Sequence, residues 1–302
     1  MRDLPTLTLR QLRYFEAAAR LGHFGKAAAE CAVTQPALSM QIKELEEELG
    51  ASLFERRPGE IVLTPLGREI AAQASRILLA ASDLAALAKH RGQVLSGPLT
   101  LGIIPTLAPY ILPELLKYLS KRFPALKLEL REAQTRAMLG ELSRGELDLV
   151  MAAIPNEMPD LHEEHLFDDR FLLAVASEEA KRSRVDPETL DPAQLILLEE
   201  GHCLRDQALS FCSNERGVTK AGLGATSLST VMQMVANGYG ATFIPEIAVE
   251  SEMRGRKLSL QRFTVPEPSR KIGLVWRKTS PRRRDFEAFG AAVKEALKAK
   301  RK

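Results

Sequence analysis

The sequence reads as an α/β protein whose N-terminal third is helical, and a change of periodicity at Leu99 is the first reason. Before Leu99, apolar residues recur at helical spacing in two short segments and one long one. After it, short apolar runs alternate with amphipathic segments over about 200 residues, the pattern of two α/β lobes with a ligand-sized cleft between them. The second reason is length: 302 residues suffice for about two domains with a buried core.

Composition is that of an ordinary globular chain, 45% hydrophobic and 27% charged, with three cysteines. Met1-Arg2-Asp3-Leu4-Pro5 runs into a polar amphipathic pattern, so no secretory signal is expected. The most apolar helical stretch, residues 66 to 88, is interrupted by Arg68, Glu69, Gln73, Arg76 and Asp83 and is not expected to span a membrane. A cytoplasmic protein is the expectation, and in that compartment a cysteine pair is transient or sensing rather than structural. The net charge of +3 permits a nucleic-acid partner without requiring one.

In chain order, Leu9, Leu12, Phe15 and Ala19 mark a helix over residues 8 to 21, ended by Gly22. A short alanine-rich helix over about 25 to 31 follows, where Cys31 serves as packing. Thr34 then caps a third helix with Pro36 in its first turn. Leu38, Ile42 and Leu45 face inward and leave Gln35, Ser39, Gln41 and Lys43 outside. Two short helices with a tight turn, the second polar on its outer face, form a helix-turn-helix that enters a major groove. Residues 54 to 63 read as a β-hairpin wing turned at Pro58-Gly59, with Arg56 and Arg57 placed for backbone phosphates. Charge argues against a basic domain, because residues 1 to 67 hold eight Lys/Arg against nine Asp/Glu, a net of 8 − 9 = −1.

Residues 64 to 88 form one helix of roughly 37 Å. Ile70, Ala74, Ile77, Ala81, Leu84 and Ala88 alternate spacings of four and three, a seam either for a partner helix or for the helix's own domain. Gln93 to Pro98 reads as a hinge. Strands are then predicted at 99 to 104, 126 to 131, 148 to 154, 171 to 176, 195 to 199, 241 to 244, 258 to 263 and 271 to 277, in largely parallel sheets. Helices fit 110 to 122, 135 to 144, 204 to 214, 228 to 237 and 283 to 299.

Chemistry concentrates in Gly201-His202-Cys203-Leu204-Arg205-Asp206, with Cys212 nine positions beyond Cys203. Nearby cations lower a thiol's pKa, so Cys203 between His202 and Arg205 is a candidate for attack on an electrophile such as peroxide. The resulting sulfenic acid condenses with a thiol in reach, and Cys212 is available for that role. In one helix the pair would be about 13.5 Å apart along the axis, whereas a disulfide needs Cα atoms within about 7 Å. A bridge would therefore need the segment to refold. The plain alternative is two small, buried, reduced cysteines. No zinc spacing, phosphate loop or Ser-His-Asp arrangement stands out, so no metal or cofactor is expected. Thr106 and Thr135 each follow a strand's C-terminal end, where α/β clefts gather ligands; helix capping is the competing use of Thr135.

Thr34-Gln35-Pro36-Ala37-Leu38-Ser39, with Leu45-Glu46 and Leu53-Phe54-Glu55-Arg56, is similar to the DNA-binding domain of the LysR-type transcriptional regulators. The string from Gly201 to Cys212 resembles the redox segment of their peroxide-sensing members, and the resemblance covers nearly the whole chain. It implies a winged helix-turn-helix (1–65), a linker dimerisation helix (66–92) and a two-lobed regulatory domain (93–302) similar to type 2 periplasmic binding proteins. Lobe I would hold 99–168 and 269–302, and lobe II 169–268. It also implies that Cys203 reacts with peroxide and Cys212 resolves it, with His202, Arg205 and Asp206 as sensor residues, Thr106 and Thr135 lining the peroxide site, and Arg270 stabilising the thiolate. The implied partners are pseudo-palindromic double-stranded DNA, a second copy or three further copies of the chain, hydrogen peroxide and RNA polymerase, with no membrane. The implied function is activation of oxidative-stress genes. A small organic co-inducer in the cleft is the alternative ligand. A thiol peroxidase is the alternative class, against which a dedicated DNA-binding domain argues.

Overall fold

A computed structural model describes residues 6–57, 60–89, 94–179, 184–212 and 224–300. The chain divides into two units, Met1–Arg91 and Gly92–Lys302.

The first unit is built on α1 (Leu9–Leu21), α2 (Phe24–Glu30) and α3 (Gln35–Leu49), and each start has a local cause. Thr8 and Gln11 form a reciprocal capping box on α1, the His23 ring accepts from the Gly25 and Lys26 amides at α2, and Thr34 accepts from Ala37 at α3. Leu38, Ile42 and Leu45 are buried as expected. The strands β1 (Phe54–Arg57) and β2 (Glu60–Leu63) pair antiparallel. Phe54 meets the rings of Phe15 and Phe24 edge-on, which fixes the hairpin on the helical core. The turn residues Pro58 and Gly59, like Gln93 of the expected hinge, lie outside the described residues. A single long helix, α4 (Pro65–Lys89), completes the unit. Its seam divides: Ala74 is buried in the helix-turn-helix core and Ile70 packs on it, whereas Ile77 and Leu84 are 45% and 70% exposed. Pro65–Leu87 is by length and composition alone long and apolar enough to cross a membrane, although Arg68, Glu69, Arg76 and Asp83 interrupt it as the sequence shows and part of it packs on the helix-turn-helix core.

In the second unit, β3 (Gly97–Ile103), α5 (Ala108–Arg122), β4 (Leu126–Glu132), α6 (Thr135–Arg144) and β5 (Leu149–Ile154) alternate, with β3 between β4 and β5 in parallel register. The next strand, β6 (Leu161–Ala176), starts ten residues before the predicted 171 to 176. Its first part, rich in His, Glu and Asp, gives little alternation to read and is held by the ladder it forms with β11 (Ser269–Arg277). Between them in sequence lie β7 (Leu197–Leu198), α7 (Cys203–Ser210), β8 (Gly224–Ala225), α8 (Leu228–Ala236), β9 (Thr242–Pro245), α9 (Glu246–Glu252) and β10 (Leu258–Gln261), and α10 (Arg283–Lys300) follows β11. Two short elements, β8 and α9, were not predicted.

The sheets are not largely parallel. The order β10-β6-β11-β5-β3-β4 is antiparallel along its first three pairs, because β6 and β11 run against each other and β6 carries the chain from one sheet region to the other. At Phe171, whose amide donates to Pro268 O (2.8 Å), β6 leaves β11 and continues against β9 and β10. Two cores result. One gathers Leu99, Leu101, Val150, Trp276 and Phe289, and the other Phe171, Val231, Phe243 and Phe263. Tyr110 of α5 reaches into the second core and donates to Glu252 Oε1 of α9 (2.8 Å), which ties the two halves beside Thr106.

Candidate peroxide site and DNA-binding face

Cys203 is the first residue of α7, after His202 at its N-cap, and the sequence-predicted helix over 204 to 214 is shorter than expected. It ends at Ser210 because Phe211 turns its ring into the second core, 5.9 Å from Phe171 and 6.3 Å from Phe243. Cys203 is half-buried and packs on the first core, while Cys212 is 6% exposed inside the second, its thiol donating to Ala208 O (3.5 Å). All three cysteines are free thiols. The eight residues of α7 cover about 12 Å of axis, so the two sulfurs belong to opposite ends of one short helix.

Around Cys203 lies a cavity of about 10 Å³, lined by Ile104, Pro105 and Thr106 after β3, Gln134 and Thr135 at the start of α6, and Gly201 and His202 before α7. That volume is about what one water-sized molecule occupies. Thr135 is not the cap of α6: Gln134 holds that position, and the buried Thr135 hydroxyl has no partner within hydrogen-bonding geometry. It lies close enough to the Cys203 sulfur to favour the thiolate. Thr106 is 3% exposed, and its hydroxyl accepts from Arg270 Nη1 (2.8 Å) while its carbonyl accepts from Nη2 (3.2 Å). With its acceptor side occupied by a guanidinium, the Thr106 hydroxyl retains its own proton for donation. The Arg270 guanidinium, wholly buried, is paired with Asp169 (2.9 Å), its register partner on β6, whose other oxygen accepts from the Ile247 amide (3.1 Å). Burial holds the Asp169 carboxyl above the ordinary range against the pull of Arg270.

The electrostatics correct the sequence reading. Burial pushes the Cys203 thiol up; Arg270 and then Thr135 pull it back, Asp206 adds to the rise, and the Leu204 amide lowers it. Arg270, expected from the resemblance, is the cation that acts on the thiol, whereas His202 and Arg205, its sequence neighbours, do not stand among the main influences on it. Arg205 instead donates to Leu198 O (3.2 Å), and Asp206 is an exposed carboxylate that opposes the thiolate. The reason is directional: side chains next to each other in a helix point to different faces, whereas Arg270 arrives from β11. Asp169 and Gln134 are the functional candidates that sequence reasoning missed. Gln134 Nε2 donates to Glu200 O (3.1 Å) across the cavity. Among the described residues no cluster of three or more His, Cys, Asp or Glu could hold a metal.

On the first unit, Thr34 is committed to capping, and Pro36 to the first turn of α3. Gln35 and Lys43 are exposed, and Ser39 and Gln41 half-buried. Gln41 Nε2 donates to Glu44 (2.6 Å) and Lys43 pairs with Glu47 (3.3 Å), exposed contacts that a phosphate or base edge can displace. The side chains of Arg56 and Arg57 lie outside what the structure describes.

Residues 9–68 match the bacterial regulatory helix-turn-helix protein model of the lysR family, and residues 92–298 match the LysR substrate binding domain. The chain belongs to the LysR family. It is 40% identical over 293 residues, 96% of each chain, to the DNA-binding transcriptional dual regulator OxyR of Escherichia coli K12. A full-length OxyR variant from Pseudomonas aeruginosa matches 95% of this chain and 94% of its own with a TM-score of 0.75 at 34% identity. An H2O2-bound cysteine-to-serine OxyR mutant from Corynebacterium glutamicum matches 99% and 96% with a TM-score of 0.62 at 37% identity.

Proposed function

We propose that this LysR-family protein is a hydrogen-peroxide-responsive transcriptional activator whose switch is a Cys203–Cys212 disulfide. The observation that carries the reading is the pairing of a water-sized cavity at Cys203 with a second thiol held in a different core. Relatives bearing the name OxyR, one of them described as H2O2-bound, support it. The Cys203 thiolate attacks one peroxide oxygen, the S–O bond forms as O–O breaks, and the departing hydroxide takes a proton from water, while the Thr106 hydroxyl can donate a hydrogen bond to it without losing its proton. The Cys212 thiolate then attacks the sulfenic sulfur, an S–S bond forms, and the hydroxyl leaves as water after protonation. The sulfur pair is oxidised by two electrons and peroxide is reduced to water. His202 walls the site, while Arg205 and Asp206 fix and tune the first turn of α7.

On this reading residues 1–65 bind DNA, 66–92 dimerise and 93–302 sense, with lobe I at 99–168 and 269–302 and lobe II at 169–268. Gln35, Ser39, Gln41 and Lys43 enter the major groove behind the Thr34–Pro36 turn, and Arg56 and Arg57 hold phosphates. Ile77 and Leu84, exposed on the apolar seam, fit a partner helix, giving a two-fold dimer or a tetramer on pseudo-palindromic DNA in the cytoplasm, with RNA polymerase as the downstream partner. The alternative, an organic co-inducer in the cleft, finds no room beside Cys203, but a cavity of about 520 Å³ lined by Phe167, Asp169, Arg170, Glu246 and Ile247 could hold one, and it would leave DNA binding insensitive to oxidant. The test is intact mass under non-reducing conditions after a stoichiometric peroxide pulse. Loss of a hydrogen pair mapped to Cys203 and Cys212, absent in Cys203→Ser, is the expected result; free thiols at low peroxide would sink the reading.

A further inference from the structure

We propose that Gln134 is a specificity-determining residue: its amide closes the solvent side of the Cys203 cavity and restricts the oxidant to a molecule the size of hydrogen peroxide, excluding alkyl hydroperoxides. The inference rests on the reading of Cys203 as the peroxide-reacting thiol. Of the residues described as lining the cavity, Ile104, Thr106 and His202 are buried at 2%, 3% and 8%, and Gln134 and Gly201 are the exposed pair. Pro105, Thr135 and Cys203 are half-buried, so Gln134 and Gly201 are the lining residues that present most surface to solvent. Those two are closed against each other. Gln134 Nε2 donates to Glu200 O (3.1 Å), and its amide lies so flat on Gly201 that a Cβ there would meet Oε1 at 2.4 Å. With φ at +89°, Gly201 suits a left-handed conformation that L side chains rarely adopt, so the flush fit and the backbone require the same glycine.

The chemistry makes this closure selective. In either oxidant the thiolate attacks the hydroxyl-bearing oxygen, forming S–O and breaking O–O. With hydrogen peroxide the leaving fragment is hydroxide, which departs as water. With an alkyl hydroperoxide it is an alkoxide, which departs as an alcohol, and its alkyl group must lie somewhere while the bond breaks. A cavity of about 10 Å³ has no place for it inside, and the exit is the Gln134 amide. Gln134 makes no side-chain cap on α6, so shortening it removes the closure without removing a helix cap.

The experiment follows loss of the Cys203 thiol in the full-length reduced protein by rapid alkylation and mass mapping, with hydrogen peroxide and with tert-butyl hydroperoxide. In Gln134→Ala the ratio of the two rate constants, hydrogen peroxide over tert-butyl hydroperoxide, is expected to fall by about tenfold, through a faster alkyl reaction. Gln134→Glu keeps the length but sets a carboxylate against the Glu200 carbonyl, and should lower the ratio as well. A wild-type ratio in both variants, or equal slowing with both oxidants, overturns the proposal. A wild-type protein whose Cys203 ignores hydrogen peroxide overturns the underlying reading instead.

Discussion

The two ends of α7 are opposites. At its N-terminal end Cys203 faces hydroxyls, a cavity and, through Thr106, a buried guanidinium; at its C-terminal end Cys212 and Phe211 are embedded among aromatic rings. Burial raises both thiols, but only at Cys203 do a cation, a hydroxyl and an amide oppose it. The difference teaches how one helix can hold a reactive thiol and a reserve thiol apart: reactivity is arranged at one end, and inertness at the other. Joining them requires α7 to come undone, since about 12 Å of helix separates its ends.

The comparison breaks most severely at Asp169. Asp169→Asn leaves Arg270 charged, buried and uncompensated, and should destabilise the regulatory unit by about 3–5 kcal/mol in denaturant unfolding. Unchanged stability would mean that the pair does not organise the site. Next, Phe211→Ala releases the C-terminal anchor of α7; because the ring is half-buried, a loss of about 2–3 kcal/mol is expected, together with faster disulfide formation after a peroxide pulse. A disulfide that forms no faster would show that refolding is not limited by this anchor.

The pH dependence sharpens the N-terminal end. With the Cys203 thiol above its ordinary value, the protonated form dominates at neutral pH, and the rate of reaction with peroxide should climb only as pH rises past the ordinary thiol range. Asp206→Asn removes a charge that disfavours the thiolate and should move the climb to lower pH; Arg270→Met should move it higher. Rate-against-pH curves of the three proteins decide the point, and coincident curves would refute it. The smallest effect is expected at Cys31, a buried thiol of the helix-turn-helix core. Cys31→Ala should cost about 1 kcal/mol or less and leave peroxide-driven loss of the other thiols unchanged by mass mapping.

How far the sequence could be read follows from the range of each interaction. Thr8, Gly22, Thr34 and the stripe Leu38, Ile42, Leu45 were legible because caps and helical faces are settled within a few residues. The first part of β6 was not, because its polar residues become a strand only through pairing with β11, roughly a hundred positions away. The end of α7 at Ser210 was missed for a similar cause: Phe211 leaves the helix for rings contributed by β6 and β9.

The sequence by itself determined the helix-turn-helix, the long apolar-seamed helix, the alternation of the α/β part and the presence of two thiols nine positions apart. All are set by period, capping and spacing, which act locally along the chain. Only the tertiary structure decided that Asp169 and Thr106 hold the Arg270 guanidinium, that Gln134 reaches across to the Glu200 carbonyl beside Gly201, and that the two thiols rest in different cores. Desolvation and ion pairing depend on which distant strands are brought together, and nothing within a dozen residues of Cys203 encodes that choice.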